Sequence, residues 1–369
     1  MIVPQNLSKI VRLNPNKLAE CLDNMDLSQH VFLSHLKGSV VNGLFACEQP
    51  DPSSNCFVTP LLHQTLLSVE GPDAHKFLQG QLSCDLREVD QDGSRLGTHC
   101  NIKGHIASLY RVMRSPEQGY WLRVHHTLTD TGFNLLKKYS IFSKVSLQNL
   151  SQSHSGLGFS GSLAKDCLQH CLGQPIALEE YHSIRNEHWT LTRIPGNRYE
   201  LWGTTEILAA LLPEILALAS PAPTEQWILQ DIEQGLPDIR PETQESFIPQ
   251  MLNLQVFKGI SFNKGCYTGQ EIVTRLQHRG QLKKPMYRAQ VTAKQAPTPG
   301  DMINSDSKEG VGQVVISATS NINANQYELL AVINKERAEN EQIFLATGEP
   351  LSLLELPYHL DPRLFESKR

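Results

Sequence analysis

The stretch Gly259-Ile-Ser-Phe-Asn-Lys-Gly-Cys-Tyr-Thr-Gly-Gln-Glu-Ile-Val-Thr-Arg-Leu-Gln-His-Arg279 holds the residues best suited to chemistry. Cys266 lies between Gly265 and Gly269, so its backbone belongs to a loop. Thr268 precedes Glu271 by three residues, and an apolar run follows. That spacing predicts a capping box that starts a helix at Gly269, with Ile272, Leu276 and Val273 as its buried face. A cysteine just ahead of a helix N-terminus, with Lys264 close in sequence, feels two influences that favour thiolate over thiol. The chemistry on offer is that of an activated thiol. The same pattern also fits a capped helix carrying a small, inert, buried cysteine.

Charge is uneven beside this thiol. Ile272 to Gly300 contains no Asp or Glu but holds Arg275, Arg279, Lys283, Lys284, Arg288 and Lys294, against a net charge of −5 for the whole chain. Such a run is either a solvated basic surface or a grip for an anion, such as a polycarboxylate tail or an RNA phosphate. Other constellations are weaker. Cys167 and Cys171 flank His170 on a predicted helix, but structural zinc takes four ligands. No Cys-x-x-Cys occurs, so the chain has no self-contained iron–sulfur ligand set. G-x-S-x-G, G-x-G-x-x-G and P-loop patterns are absent. A cysteine hydrolase needs a histidine partner; His278 is available, with nothing in the sequence to orient it.

The elements that must position these groups read as α+β. Residues 1–60 look irregular, with a loop over Gln49–Asn55. A strand is predicted from Thr65 and a helix from Pro72-Asp73 through Leu82. Strands follow at Arg95–Cys100, His105–Met113 and Tyr120–Val124, then a helix at Leu128–Tyr139 and a strand at Lys144–Leu150. That order is ferredoxin-like. A second version spans 151–222, and "GYWLRV…TLTDTGFNLLKKY" and "NRYELWGTTEILAALLPEIL" read as two copies of one unit. Ser220–Thr224 reads as a linker and Glu225–Gln234 as a short helix. From Met286 onward, alternating runs predict a small β module.

Composition bounds the whole. With 369 residues, 40% hydrophobic and 19% charged, the chain is globular, with two or three domains. A net charge of −5 speaks against general, strong nucleic-acid binding. Eight cysteines show no disulfide framework, and the first residues do not read as a secretory signal. The greasiest run, Ile207–Ala219, is interrupted by Pro213 and Glu214 and falls short of the about 20 residues a membrane span needs. The expectation is a soluble, cytoplasmic protein with reduced thiols and no membrane partner.

Phe262-Asn-Lys-Gly-Cys-Tyr-Thr-Gly-Gln-Glu271, preceded by Ile248-Pro-Gln and Asn253-Leu, resembles the signature of the YgfZ family. These are folate-binding proteins related to the glycine-cleavage T-protein, a tetrahydrofolate-dependent aminomethyltransferase. Gly71-Pro-Asp-Ala74, Phe77-Leu-Gln-Gly-Gln81, Lys137-Lys-Tyr139, Phe142-Ser-Lys-Val145 and the Trp227, Ile232-Glu233, Gly235 set agree with it. The resemblance implies a three-domain ring of two ferredoxin-like α+β lobes and a C-terminal β-barrel. Its expected divisions are 1–150, with 223–284 packing back onto it, 151–222, and 285–369. It implies tetrahydrofolate or a one-carbon derivative in a central funnel, and a role in tRNA modification (methylthiolation) and in assembly or repair of iron–sulfur enzymes. Cys266 would be the functional thiol, with Lys264, Gly265, Tyr267, Gly269, Gln270 and Glu271 completing the motif. Trp227 would be the pterin wall, Glu233 its carboxylate, and Arg275 with the basic stretch the grip on the glutamate tail.

Two departures stand out. T-proteins carry paired aspartates after an Asn-x-x-Gly-Gly block; Ser108 and Leu109 occupy those positions after Asn101-Ile-Lys-Gly104. The carboxylate that would steady a cationic transfer intermediate is missing. A tryptophan associated with folate in the family is replaced by Gln64. The expected function is therefore a folate-binding accessory protein whose partners are reduced folate and iron–sulfur clients of the tRNA methylthiotransferase class. A folate-dependent aminomethyl or methyl transferase is the alternative, and a pure docking scaffold a third.

Overall fold

Residues 31–48, 53–320 and 325–366 are described by the computed structural model. The reading of the first residues as no secretory signal, and part of the expected 49–55 loop, lie outside them. The described residues of 31–60 are not irregular. They form α1 (Val31–Leu36), the hairpin β1 (Ser39–Val41) and β2 (Leu44–Ala46), and β3 (Phe57–Pro60). Phe32, Leu36, Phe45 and Val58 are buried in the core of the second lobe.

The first lobe is β4 (Gln64–Glu70), α2 (Ala74–Gln81), α3 (Leu86–Asp92), β5 (Ser94–Cys100), β6 (Ile106–Arg114), β7 (Tyr120–His125), α4 (Thr129–Tyr139) and β8 (Ser146–Asn149). Its antiparallel sheet runs β5-β6-β7-β4-β8. The sequence reading missed α3. Its signals are local: the Asp85 carboxylate caps it by accepting from the Arg87 N–H at 3.0 Å, and Gly93 ends it at φ 103°.

The second lobe is β9 (His154–Ser160), α5 (Ala164–Leu172), β10 (Ser183–Arg185), β11 (Trp189–Ile194), β12 (Arg198–Thr204), α6 (Thr205–Leu216) and β13 (Ser220–Pro221). Its sheet runs β10-β11-β12-β9-β3-β13, the order of the first lobe with β3 slotted beside the opening strand. The internal repeat is thus present in topology. The expected division at 150 does not hold for β3, which pairs with β9. A four-residue apolar strand carries no information about its partner, so tertiary contacts decide. The expected 220–224 linker likewise begins with a strand, as β13 pairs in parallel with β3.

After α7 (Thr224–Glu233) and α8 (Gln270–Arg279), the chain enters a curled sheet. Its elements are β14 (Met286–Thr292), β15 (Met302–Ser305), β16 (Lys308–Thr319), β17 (Gln326–Ile333), α9 (Lys335–Asn340), β18 (Ile343–Leu345) and β19 (Ser352–Leu354). The strand order is β18-β15-β16-β17-β14-β19, and a Phe344–Pro350 bridge brings the two edges together. A register shift between Val314 and Ile316 turns β16. Val311 and Val314 then face the core of this sheet, and Ile316 and Ala318 face the first lobe. One core runs from Leu67 and Leu122 through Ile232, Leu254 and Val273 to Val332; the second lobe has its own. No helix among the described residues is long and apolar enough to cross a membrane.

Candidate functional site

The thiol loop is sewn onto the connection between α2 and α3. Ser83 Oγ donates to Gly259 O at 2.6 Å, and Ser261 N donates to Ser83 O at 2.9 Å. Arg87, held by Asp85, donates to Asn263 O at 3.2 Å. Lys264 is the central staple. Its buried ammonium donates to Leu82 O at 2.6 Å and Cys84 O at 2.7 Å, and lies 5.1 Å from the Tyr267 ring centroid. Burial pulls its pKa down to about 8, against the opposing influence of Cys84 and Asp85. Above this staple, Asn263, Gly265 and Cys266 are exposed, and nothing lies within 4 Å of where a Cβ on Gly265 would sit.

Three expectations change here. The capping box does not form. Gly269 is the N-cap at φ 81°, and it approaches the 101–104 turn so closely that a Cβ would lie 2.5 Å from Asn101 O. Thr268 instead points its hydroxyl at Gln81, 3.5 Å away, and Gln270 Oε1 accepts from Tyr267 N at 3.3 Å. Lys264 is not a neighbour charge for the sulfur, because its ammonium is directed at two carbonyls beneath the loop. Val273, rather than Ile272, is the buried anchor of α8: Ile272 is exposed, and Gln250 Nε2 reaches Val273 O at 2.6 Å. Asn253, from the same outlying block, donates to Met286 O at 2.9 Å and ties the segment to β14. Glu271 and Arg275 are exposed on the outer face of α8, and His278 packs against Phe262.

Helix α7 does not gather Trp227 and Glu233 into one site. Trp227 is 2% exposed in a cluster with Trp121, Trp202 and Leu66, and the Arg198 guanidinium covers its ring at 4.7 Å. It is a core residue rather than an open wall. Glu233 is half-buried near the Arg288–Glu328 ion pair of the C-terminal sheet; burial first, then Glu328, raises its pKa. Six residues on a helix turn the two apart. Of the basic stretch, Arg288 is engaged by Glu328, while Arg275, Arg279, Lys283 and Lys294 are exposed.

The residue that does face the inter-lobe cleft from α7 is Asp231, one turn after Trp227. Arg198 Nη2 donates to it at 2.7 Å. Across the cleft, Arg111 and Arg123 face each other on β6 and β7. Glu200 of β12 lies 3.5 Å from the Nε of each and accepts from Trp202 Nε1 at 3.0 Å. Asp238 accepts from Gln64 Nε2 at 3.0 Å and pairs with Arg240. Burial pushes Glu200 up, but Arg123 and Arg111, with the Trp202 N–H, hold it below its usual value. Burial raises Asp231 against Arg198, and lowers Arg111 against Glu200. His63, His125 and His126 are pushed down by burial and by Arg240, so their imidazoles are neutral near pH 7.

The sequence reading missed this cleft. Its signal was present: Arg111, Arg123 and Glu200 interrupt strands that are otherwise apolar and buried. Nε and Nη1 of Arg111 and Nε of Arg123 have no hydrogen-bond partner among the described residues. Buried carboxylates beside unpaired guanidinium N–H groups match the donors and acceptor of a pterin ring. The free space is about 20 Å³. That holds a water, so a pterin enters only if these side chains move apart.

Residues 55–196 match the GCVT N-terminal domain family. The tRNA-modifying protein YgfZ of Pectobacterium atrosepticum is 31% identical over 334 residues, covering 87% of this chain and 99% of that protein. That of Yersinia pestis is 32% identical over 324 residues, covering 86% and 97%. The crystal structure of glycine cleavage system aminomethyltransferase T from Bartonella henselae has the same fold. Its TM-score is 0.69 at 18% identity, over 82% of this chain and 86% of that one.

Proposed function

The chain belongs to the family of the tRNA-modifying protein YgfZ, and from that premise we propose that it is a tetrahydrofolate-binding accessory protein for tRNA methylthiolation and for the iron–sulfur enzymes that perform it. The observation that carries this reading is Cys266: it is exposed at the tip of a stapled loop, whereas Cys56, Cys84, Cys100, Cys167 and Cys171 are buried. A thiol so presented suits transient contact with a partner's cluster or persulfide rather than chemistry inside a closed pocket. The unbridged cysteines support a reducing, cytoplasmic setting.

Reduced folate occupies the inter-lobe cleft in this proposal, where it supplies a one-carbon carrier. Glu200, Asp231 and Asp238 accept from the pterin N–H groups, and Arg111 and Arg123 donate to its carbonyl. Arg275 and its basic neighbours remain the grip for the glutamate tail. Trp202, one hydrogen bond from Glu200, reports occupancy. The fold shared with an aminomethyltransferase favours a second reading, group transfer. Against it, Ser108 and Leu109 are both buried where the resemblance places the T-protein aspartates, so no carboxylate faces a developing cation there.

Titration with tetrahydrofolate should quench tryptophan fluorescence in the wild type and far less in Arg123→Gln. Turnover with a lipoyl-carrier substrate should be absent; robust turnover establishes the transferase instead. In cells lacking the gene, methylthiolated tRNA should fall, and a Cys266→Ala copy should restore it poorly. Full restoration at equal protein level removes the thiol from the function.

A further inference from the structure

A second polar pocket, separate from the thiol loop and the charged cleft, lies at the outer junction of the two lobes. It encloses about 310 Å³ and is lined by His75, Asp90, Arg114, Gln118 and Tyr120 of the first lobe and Arg185 of the second. Two arginines meet here for a topological reason. Arg114 ends β6 and Arg185 ends β10. Thr190, the cross-strand partner of Arg185, donates its hydroxyl to Arg114 O at 3.0 Å. Ser94 Oγ donates to Tyr181 O at 2.8 Å and pins the same junction.

The acid in this lining is already engaged. Asp90 accepts from the Tyr120 hydroxyl at 2.6 Å and from His75 Nδ1 at 2.8 Å, and lies 3.3 Å from Arg114 Nη1. Arg114 also lies over the Tyr120 ring, 4.8 Å from its centroid. These contacts fix the direction of Arg114 but leave most of its fork unused. Arg185 is exposed and forms no ion pair among the described residues. Two other arginines, Arg95 and Arg198, are fully engaged, whereas Arg111 and Arg123 of the cleft also keep unpartnered N–H groups. Arg95 is shared between Glu88, Asp92 and Ser94 O, and Arg198 between Asp231, Pro195 O and Trp227 O. Two under-used guanidiniums converge on one pocket whose lining holds one carboxylate, Asp90, while Glu70 acts on Arg114 from outside that lining.

We propose that this pocket binds a phosphate group, held between Arg114 and Arg185. A tetrahedral oxyanion accepts forks from two directions at once, which one planar carboxylate does less well, and the volume admits the group's substituent. The phosphate bridges residues from different lobes, so its binding also ties the lobes together.

Calorimetric titration of the full chain at constant ionic strength tests this with inorganic phosphate, a 5′-mononucleotide and a short single-stranded RNA, using chloride as the blank. Saturable binding of phosphate and mononucleotide identifies a phosphomonoester site, and binding of the RNA alone identifies a phosphodiester site. In either case Arg185→Gln, a surface change that leaves folding intact, should weaken binding about tenfold, and Arg114→Gln at least as much. Arg363→Gln, a remote exposed cation, should change nothing. The proposal is overturned if none of the three probes gives saturable heat in the millimolar range. It is overturned equally if Arg185→Gln binds like the wild type, or if Arg363→Gln weakens binding as much.

Discussion

The two α+β lobes share a strand order and differ in what covers them. The second lobe closes on itself: α5 and α6 pack on its sheet with α1 and the N-terminal hairpin, and β3 fills a slot within it. The first lobe leaves its core open to α7, the 247–273 segment and the C-terminal sheet. The motif loop is attached to that open lobe through the carbonyls of Leu82 and Cys84 and through Ser83, Arg87 and Gln81. Duplication thus yields one copy that supplies stability and one that supplies an attachment surface. Where the copies meet, charged residues from both fill the cleft.

The junction is where the largest effect is expected. Glu200 belongs to the closed lobe, and Arg111 and Arg123 to the open one. Glu200→Gln leaves two buried guanidiniums uncompensated and should cost about 3–5 kcal/mol in chemical denaturation. The folded-state pKa of Glu200 lies below the usual 4.5. Its contribution is therefore complete above that value and is lost as pH falls through the folded pKa, so acid should part the lobes only below that value. A cost below about 1 kcal/mol, the range of a solvated surface pair, means that the cleft is already open to water and the lobes are only loosely joined.

Core truncations sharpen the contrast between the lobes. Leu122 and Leu201 are fully buried, the first in the shared core and the second in the closed one. Each change to Ala should cost about 2–5 kcal/mol. Only Leu122→Ala should also alter the rate at which Cys266 is alkylated in the native state. Equal alkylation rates in the two variants show that the loop does not depend on the open core.

Lys264 gives a smaller and more local effect. Lys264→Met leaves the Leu82 and Cys84 carbonyls without their donor and should cost about 1–3 kcal/mol, with faster proteolysis between Ser261 and Gly269. Its pKa is about 8 in the folded chain against an ordinary 10.5. Between those values the unfolded chain binds more protons, so wild-type stability gains a rising contribution as pH increases through that window. The methionine variant should lose that rise. An unchanged pH profile places the ammonium in water rather than under the loop.

The sequence made the open lobe's elements legible, α3 excepted, because their periodicity and breakers are local: the strands β4 to β8 fall within a residue or two of the expected bounds. It hid what depends on distant partners. β3 carries no mark of the sheet it joins, and β9 has too many glycines and serines to read as a strand. At the site, the exposed thiol was visible from Gly265, Cys266 and Gly269, but its support was not. Lys264 and Thr268 look like neighbours of the sulfur along the chain, yet in space they serve Leu82, Cys84 and Gln81. The cleft residues come from β6, β7, β12, α7 and the segment that follows it, and no local window contains them all.

The smallest expected change in stability belongs to Cys266 itself. Its side chain is exposed, and no hydrogen bond to its sulfur is present among the described residues. Cys266→Ala should therefore leave stability within about 0.5 kcal/mol of the wild type. The loop should keep its shape, because Lys264, Ser83 and Gly269 hold it without the thiol. A maleimide should label Cys266 in the native state well before Cys84 and Cys100, whose thiols are buried and pushed up to about 11 and about 12. If Cys266→Ala instead melts early, the sulfur packs against something and its motif position is structural. If the variant is as stable as the wild type yet fails in the tRNA assay, structural and functional requirements separate at this one atom. The open lobe is then a mount for a thiol whose chemistry takes place on another molecule.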